Sequence, residues 1–255
     1  MNNIQKLFSL ENKTAIVTGA NTGLGQGISI ALAAAGAHVF GVARRSCEET
    51  AEKITEIGGK FTEVIADLSD LSSIDKIMQE VGSQTDRIDI LVNNAGIIKR
   101  CDAIDVTMED WDAVKDINEK LVFFLSQAVA KQWVADGKGG KIINIASMLS
   151  FQGGIRVPAY AASKSGITGL TKALANEWAP YNINVNAIAP GYMATNNTTQ
   201  LRNDADRNDD ILSRIPAGRW GTPEDMYGAA IFLASEASAY MNGFTIAVDG
   251  GWLAR

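Results

Sequence analysis

Residues 14–25 read TAIVTGANTGLG, and this stretch decides the fold. TAIVT is short and rich in β-branched side chains, the mark of a buried strand. Gly19, Gly23 and Gly25 follow it directly and open the segment GLGQGISIALAAAG, whose apolar spacing is helical. A strand, a glycine-rich turn and a helix start bring backbone N–H groups up to a pyrophosphate at the positive end of a helix. The spacing is GxxxGxG, not the common GxGxxG, so a plain structural βα turn stays open at this point.

The same alternation runs through the chain. HVFGVA, FTEVIA, IDILVN, KIINIA, INVNAIA and FTIAVD read as further strands, and CEETAEKITEIG, LSSIDKIMQEVG and SKSGITGLTKALANEWA as helices between them. Strands alternating with helices imply βαβ crossovers and a parallel sheet covered on both faces. The expectation is a doubly wound α/β sheet of the Rossmann type, in a single domain spanning residues 1–255. No linker, composition break or internal repeat divides the 255 residues, and a 46% hydrophobic content suffices for one large core.

Composition excludes several functions. A net charge of −6 argues against a nucleic-acid or anionic-membrane surface. The opening residues lack the basic and apolar regions of a secretory signal, and no apolar run reaches spanning length, so a cytoplasmic protein is expected. Cys47 and Cys101 have no CxxC partner and read as packing or surface residues. The single histidine, His38, cannot build a His-rich metal site or a His-based triad, so no metal is expected. Acid–base chemistry here must use another residue type.

In doubly wound sheets ligands gather at the carboxyl ends of the strands. The third strand ends at Asp67 and Leu68, where a carboxylate can accept from an adenine amino group or cap a helix. The fourth ends at Asn93 and Asn94, which suit a ligand contact or a turn. The second ends with Ala43 where an NAD site usually has an acid, followed by Arg44 and Arg45, which favours a 2′-phosphate and hence NADP unless both arginines are merely solvated.

Ser147 ends the fifth strand, and Tyr160 and Lys164 follow at i and i+4 on one helical face. An ammonium beside a phenol favours the phenolate, which allows tyrosine to exchange protons nearer neutral pH. The Ser147 hydroxyl can hold a carbonyl oxygen near that phenol.

Taken together, TGANTGLG, NNAG, Asn118 in DINEK, Ser147, YAASK and the PG at 190–191 resemble the short-chain dehydrogenase/reductase family, in order and over essentially the full length. The resemblance implies that Ser147 orients a carbonyl, Tyr160 gives or takes the proton, Lys164 tunes the tyrosine and contacts the nicotinamide ribose, and Asn118 holds a relay water. It implies a cofactor, NAD or NADP, lying along Gly19, Asn21, Thr22, Gly23, Leu24, Gly25, Arg44, Asp67, Leu68, Asn94, Tyr160, Lys164, Met193 and Thr195. Glu119 departs from the family, where an apolar residue is expected beside Asn118; buried and unpaired, it would put Asn118 in doubt.

Within that family, GKIINIASMLSFQGGIRVPAY, NAIAPGYMATNNT, RIPAGRWG and AVDGGWLAR are similar to the 2-dehydro-3-deoxy-D-gluconate 5-dehydrogenases. This implies a keto-deoxy-sugar acid from pectin or uronate breakdown as substrate. Arg156 or Arg100 is then expected to hold the carboxylate, helped by Gln152, since guanidinium forks bind carboxylates bidentately. The polar stretch 196–214 reads as a lid, with bounds near 191–215, or as a solvated helix pair. Relatives suggest a homotetramer, with Trp252 either at an interface or capping the monomer core. The rival readings are a 3-oxoacyl carrier-protein reductase and a catalytically silent dinucleotide-binding regulator.

Overall fold

The computed structural model describes residues 3–255, and its seven strands fall on the seven apolar runs. The strands are β1 (Thr14–Thr18), β2 (His38–Ala43), β3 (Lys60–Ile65), β4 (Ile90–Asn93), β5 (Gly140–Ile145), β6 (Ile183–Pro190) and β7 (Thr245–Val248). The α-helices are α1 (Asn3–Phe8), α2 (Gly23–Ala34), α3 (Glu48–Glu56), α4 (Ser73–Gly82), α5 (Met108–Lys115), α6 (Leu121–Asp136), α7 (Pro158–Trp178), α8 (Thr199–Asn203), α9 (Ala205–Arg214) and α10 (Tyr227–Ala234).

All strand pairs are parallel, in the order β3-β2-β1-β4-β5-β6-β7. Successive side chains of a strand point to opposite faces, and the core divides accordingly. Ala15 and Val17 pack with Val39, Ile90 and Val92 under α2, α3 and α10. Ile16, Phe40 and Leu91 pack under α4, α6 and α7 on the other face. The register agrees, with Ile16 opposite Phe40 on one side and Leu91 on the other. This two-sided burial is why the inner strands β1, β2, β4 and β5 read as largely apolar runs, while the edge strands β3 and β7 are half-exposed.

Local signals set the helix ends. Pro158 starts α7, where its missing N–H costs nothing, and Gly137 stops α6 in the left-handed region at φ 65°. Trp252, which the sequence left between an interface and the monomer core, is 5% exposed and packs with Met148, Ile211 and Ile215. It caps the core beneath α9.

β1 lies between β2 and β4, so the chain winds outward in both directions from this point and leaves a cleft at the carboxyl ends. One buried hydroxyl closes the base of that cleft. Thr18 Oγ1 accepts from the backbone N–H of Asn94 and of Ala95, both at 3.0 Å, and donates to the Val92 carbonyl at 3.3 Å. Asn94 returns the contact, its Nδ2 donating to the Thr18 carbonyl at 2.9 Å. Thr18→Val keeps the shape and removes the acceptor, leaving the Ala95 N–H unpaired and the Asn94 N–H with only its 3.2 Å bond to the Val92 carbonyl. We expect a loss of about 1–3 kcal/mol, measured by urea denaturation; unchanged stability would show that the hydroxyl does not hold the cleft.

Candidate active site

The glycine turn after β1 is built for close approach. A Cβ on Gly25 would lie 2.1 Å from the Gly19 carbonyl oxygen, and Gly19 itself sits at φ 69° against the Asn94 side chain. Thr22 precedes α2 without a side-chain capping bond, so the amide groups of Gly23, Leu24 and Gly25 keep their donors for an anion. The turn therefore fits a dinucleotide pyrophosphate. Beyond β6 the chain comes back over it: Asn196 Nδ2 donates to Thr22 Oγ1 at 3.3 Å, and Thr195 lies within 3.6 Å of where a Gly23 Cβ would stand.

The other strand ends are occupied in distinct ways. Asp67 does not cap α4, which begins after Ser72. It accepts from the Ser69 amide and hydroxyl, and those bonds hold its carboxyl below the usual range, with the Arg44 charge adding to the effect. Arg44 and Arg45 are exposed at the end of β2. Leu68 is buried in the α4–α6 core. Asn94 braces the turn by donating to the Thr18 and Gly19 carbonyls. The Met193 side chain is buried under α2 and α10, so this residue offers the cleft only its backbone. Asn21 sits half-buried in the turn itself.

Lys164 is the electrostatic centre. It is 5% exposed, its Nζ donates to the Ile145 carbonyl at 2.5 Å, and it stands 5.7 Å from the Tyr160 ring centroid. Burial lowers its pKa to about 8. Burial raises the Tyr160 phenol, while the facing Ser147 hydroxyl and the Arg100 charge act to lower it. Lys164, which the sequence expectation made the group that lowers the tyrosine, keeps its ammonium facing the Tyr160 ring while it is anchored on the β5 carbonyl. Ser147 is fixed in turn by its own loop, its Oγ accepting from the Leu149 amide at 3.1 Å.

Asn118 is fully buried in a π-helical segment, Asp116–Lys120, that joins α5 to α6. A single-turn π segment of this kind re-aims a side chain inside an otherwise α-helical run. Asn118 Oδ1 accepts from the Ile97 amide at 2.8 Å, and Nδ2 donates to the Ile97 carbonyl at 2.9 Å and to Ser163 Oγ at 3.2 Å. Gly96 leaves room between the two polar groups: a Cβ there would lie 3.1 Å from Asn118 Oδ1 and 3.8 Å from Lys164 Nζ. Glu119 is half-exposed and ion-pairs with Lys115, so the departure from the family pattern leaves Asn118 in place.

The two arginines expected near the substrate part company. Arg156, at φ 64°, pairs with Asp102 at 3.0 Å on the exposed loop surface. Arg100 donates to the Asn197 carbonyl at 3.0 Å, and its charge acts on both the Tyr160 and the Tyr192 phenols. Gln152 is half-buried on the loop before α7. Sequence reasoning missed Tyr192, which meets Trp220 and Trp252 edge-on at centroid distances of 5.4 and 4.9 Å. Its signal was present in the aromatic residues of three separate turns, PGYMAT, GRWG and GGW.

Among the described residues no group of three His, Cys, Asp or Glu side chains is placed to hold a metal ion, and no helix is long and apolar enough to cross a membrane. A family profile described as enoyl-(acyl carrier protein) reductase matches residues 19–253. The chain is 59% identical to a 2-dehydro-3-deoxy-D-gluconate 5-dehydrogenase of Dickeya dadantii, over 99% of this chain and 100% of that one. It resembles the crystal structure of a candidate 2-deoxy-D-gluconate 3-dehydrogenase of Agrobacterium tumefaciens with bound NADP, at a TM-score of 0.92 and 57% identity, covering 98% of this chain and 99% of the other. A gluconate 5-dehydrogenase of Burkholderia cenocepacia in complex with NADP and tartrate matches at a TM-score of 0.93 and 37% identity, over 99% and 100% of the two chains.

The buried ammonium has a thermodynamic signature. With Lys164 lowered from 10.5 to about 8, the unfolded chain binds more protons than the folded one between those values, so stability rises with pH across that window. Lys164→Met removes this contribution. Denaturation at pH about 7.5 and about 9.5 should show the wild type gaining stability relative to the variant as pH rises; a difference independent of pH would mean that the lysine is not buried as a cation.

Proposed function

The chain belongs to the short-chain dehydrogenase/reductase family, and from that premise we propose that it is an NADP-preferring oxidoreductase that interconverts 2-dehydro-3-deoxy-D-gluconate and its 2,5-diketo form, 3-deoxy-D-glycero-2,5-hexodiulosonate. The observation that carries the chemistry is the sealed Lys164 ammonium beside Tyr160, with Ser147 facing the phenol. Ser147 donates to the ketone oxygen and holds it against Tyr160, whose phenol gives up its proton as the oxygen gains charge. In the opposite direction the phenolate takes the alcohol proton. Lys164 supplies the positive charge that favours the phenolate, and Asn118 with the Ile97 backbone offers a relay by which the lysine side exchanges protons with solvent. When bound, the nicotinamide supplies or accepts the hydride.

Gly19, Asn21, Thr22, Gly23, Leu24 and Gly25 would hold the pyrophosphate, Asp67 and Leu68 the adenine end, and Thr195 with the Met193 backbone the nicotinamide end. Exposed Arg44 at the close of β2 is suited to a 2′-phosphate, and two of the similar solved structures carry NADP. The sugar-acid reading is supported by the named relative and by Arg100 beside the phenol. Of the two arginines, Arg100 is the one whose charge reaches the phenol, and Arg156 already has a carboxylate.

A homotetramer in the cytoplasm completes the reading. It is supported by exposed apolar side chains on α5 and α6, Met108, Trp111 and Phe124, and by Phe244 beside edge strand β7.

Initial rates with 3-deoxy-D-glycero-2,5-hexodiulosonate test the proposal. NADPH should outperform NADH, Arg44→Ala should reverse or erase that preference, and Tyr160→Phe should lower kcat by about 10²–10⁴-fold. No turnover with either cofactor would refute the substrate; full activity of Tyr160→Phe would refute the proton donor.

A further inference from the structure

A second cluster of donors lies beneath α9, apart from the Ser147, Tyr160 and Lys164 group. A cavity of about 180 Å³ is lined by Tyr192, Arg207, Asp210, Ile211, Ser213, Arg214 and Trp252. The Arg214 guanidinium lies 4.2 Å over the Trp252 ring, and among the described residues it has no carboxylate within ion-pair distance. Arg207 has only a loose 3.7 Å contact with the exposed Asp210. The Trp252 indole nitrogen is buried and has no hydrogen-bond partner, although the residue is 5% exposed. A buried donor without an acceptor is rare in a native protein and calls for one.

Two guanidiniums and a phenol thus line one small space, with the Trp252 ring under the Arg214 guanidinium. The only carboxylate among the lining residues, Asp210, is exposed and engaged with Arg207. The space exceeds several waters and suits a carboxylate with its neighbouring carbon. It also packs against the loop that carries Ser147. Trp252, Ile211 and Ile215 pack on Met148, the residue after Ser147. Arg100 acts on the Tyr192 phenol and on the Tyr160 phenol alike.

We propose that this cavity is an anion-binding subsite that receives the substrate's carboxylate, with Arg207 and Arg214 of α9 as its charged donors and Tyr192 and Trp252 as its floor. The proposal rests on the sugar-acid reading above for the identity of the anion: in that substrate the carboxylate is four bonds from the carbon that would stand at Tyr160. Because both arginines are on α9, an occupied subsite ties the segment following β6 to the substrate, and the enzyme discriminates against ketones that lack a distal anion.

The test is tryptophan fluorescence titration in the presence of NADP⁺, using D-gluconate and its uncharged counterpart D-glucitol as probes. Wild type should bind D-gluconate saturably and D-glucitol far more weakly. Arg207→Ala and Arg214→Ala should each raise the D-gluconate Kd by roughly tenfold, with partial recovery in the lysine variants, and the NADPH Kd should stay within about twofold. Arg207 is largely exposed, so its variant folds even where Arg214→Ala disturbs the stack on Trp252. Equal binding of the two probes, or a D-gluconate Kd unchanged in Arg207→Ala and Arg214→Ala, would overturn the subsite. Turnover of the diketo acid with an unchanged KM in both variants would overturn it while sparing the substrate. Arginine-dependent D-gluconate binding without turnover of the diketo acid would support the subsite and remove that substrate.

Discussion

The Thr18 hydroxyl is the contact on which the cleft depends. It sits where the chain reverses its winding direction, and it joins the end of β1 to the turn after β4 through two accepted bonds and one donated bond. Everything placed at the carboxyl edge is referenced to that junction. The Asn94 amide braces Gly19, which sets the glycine turn, and Gly96 follows within reach of Asn118 and Lys164. A parallel sheet supplies the edge, and this polar clasp, built on a buried hydroxyl, ties the strand ends together across it.

Around that frame the fold buries a cation without a carboxylate. Lys164 is held by a backbone carbonyl at the end of β5, in the midst of hydroxyl and amide groups. A neighbouring carboxylate would neutralise the charge and spend its influence on an ion pair. A carbonyl orients the ammonium and leaves most of its field for the phenol and for whatever anionic group enters the cleft. The π-helical turn at Asn118 serves the same arrangement, since it turns one polar side chain toward the Ile97 backbone and Ser163 from between two α-helices.

Much of this was legible in the sequence, for physical reasons. The inner strands were visible because a sheet buried on both faces needs apolar runs, the half-exposed edge strands β3 and β7 because of their β-branched and aromatic residues, and Tyr160 and Lys164 because a spacing of four has one meaning on a helix. Ser147 and the glycine turn followed from their positions at strand ends. What the sequence could not give was long-range pairing. Arg156 and Arg100 looked alike until Asp102 claimed the first. Trp252 lay in an apolar terminus with two possible destinations, and only the fold brought it under α9 with Tyr192 and Trp220. Thr18 is an ordinary strand residue in sequence, and its role emerges only when β4 lies beside β1.

The most direct measurement is the fate of a label. With NADPH carrying deuterium at the transferable C4 position and the diketo acid as acceptor, the product should carry one deuterium at the carbon reduced, C5, with the adjoining hydroxyl proton supplied through Tyr160. Deuterium found at C2, or no deuterium in a product that forms at the full rate, would contradict an account that places hydride transfer beside Ser147, Tyr160 and Lys164.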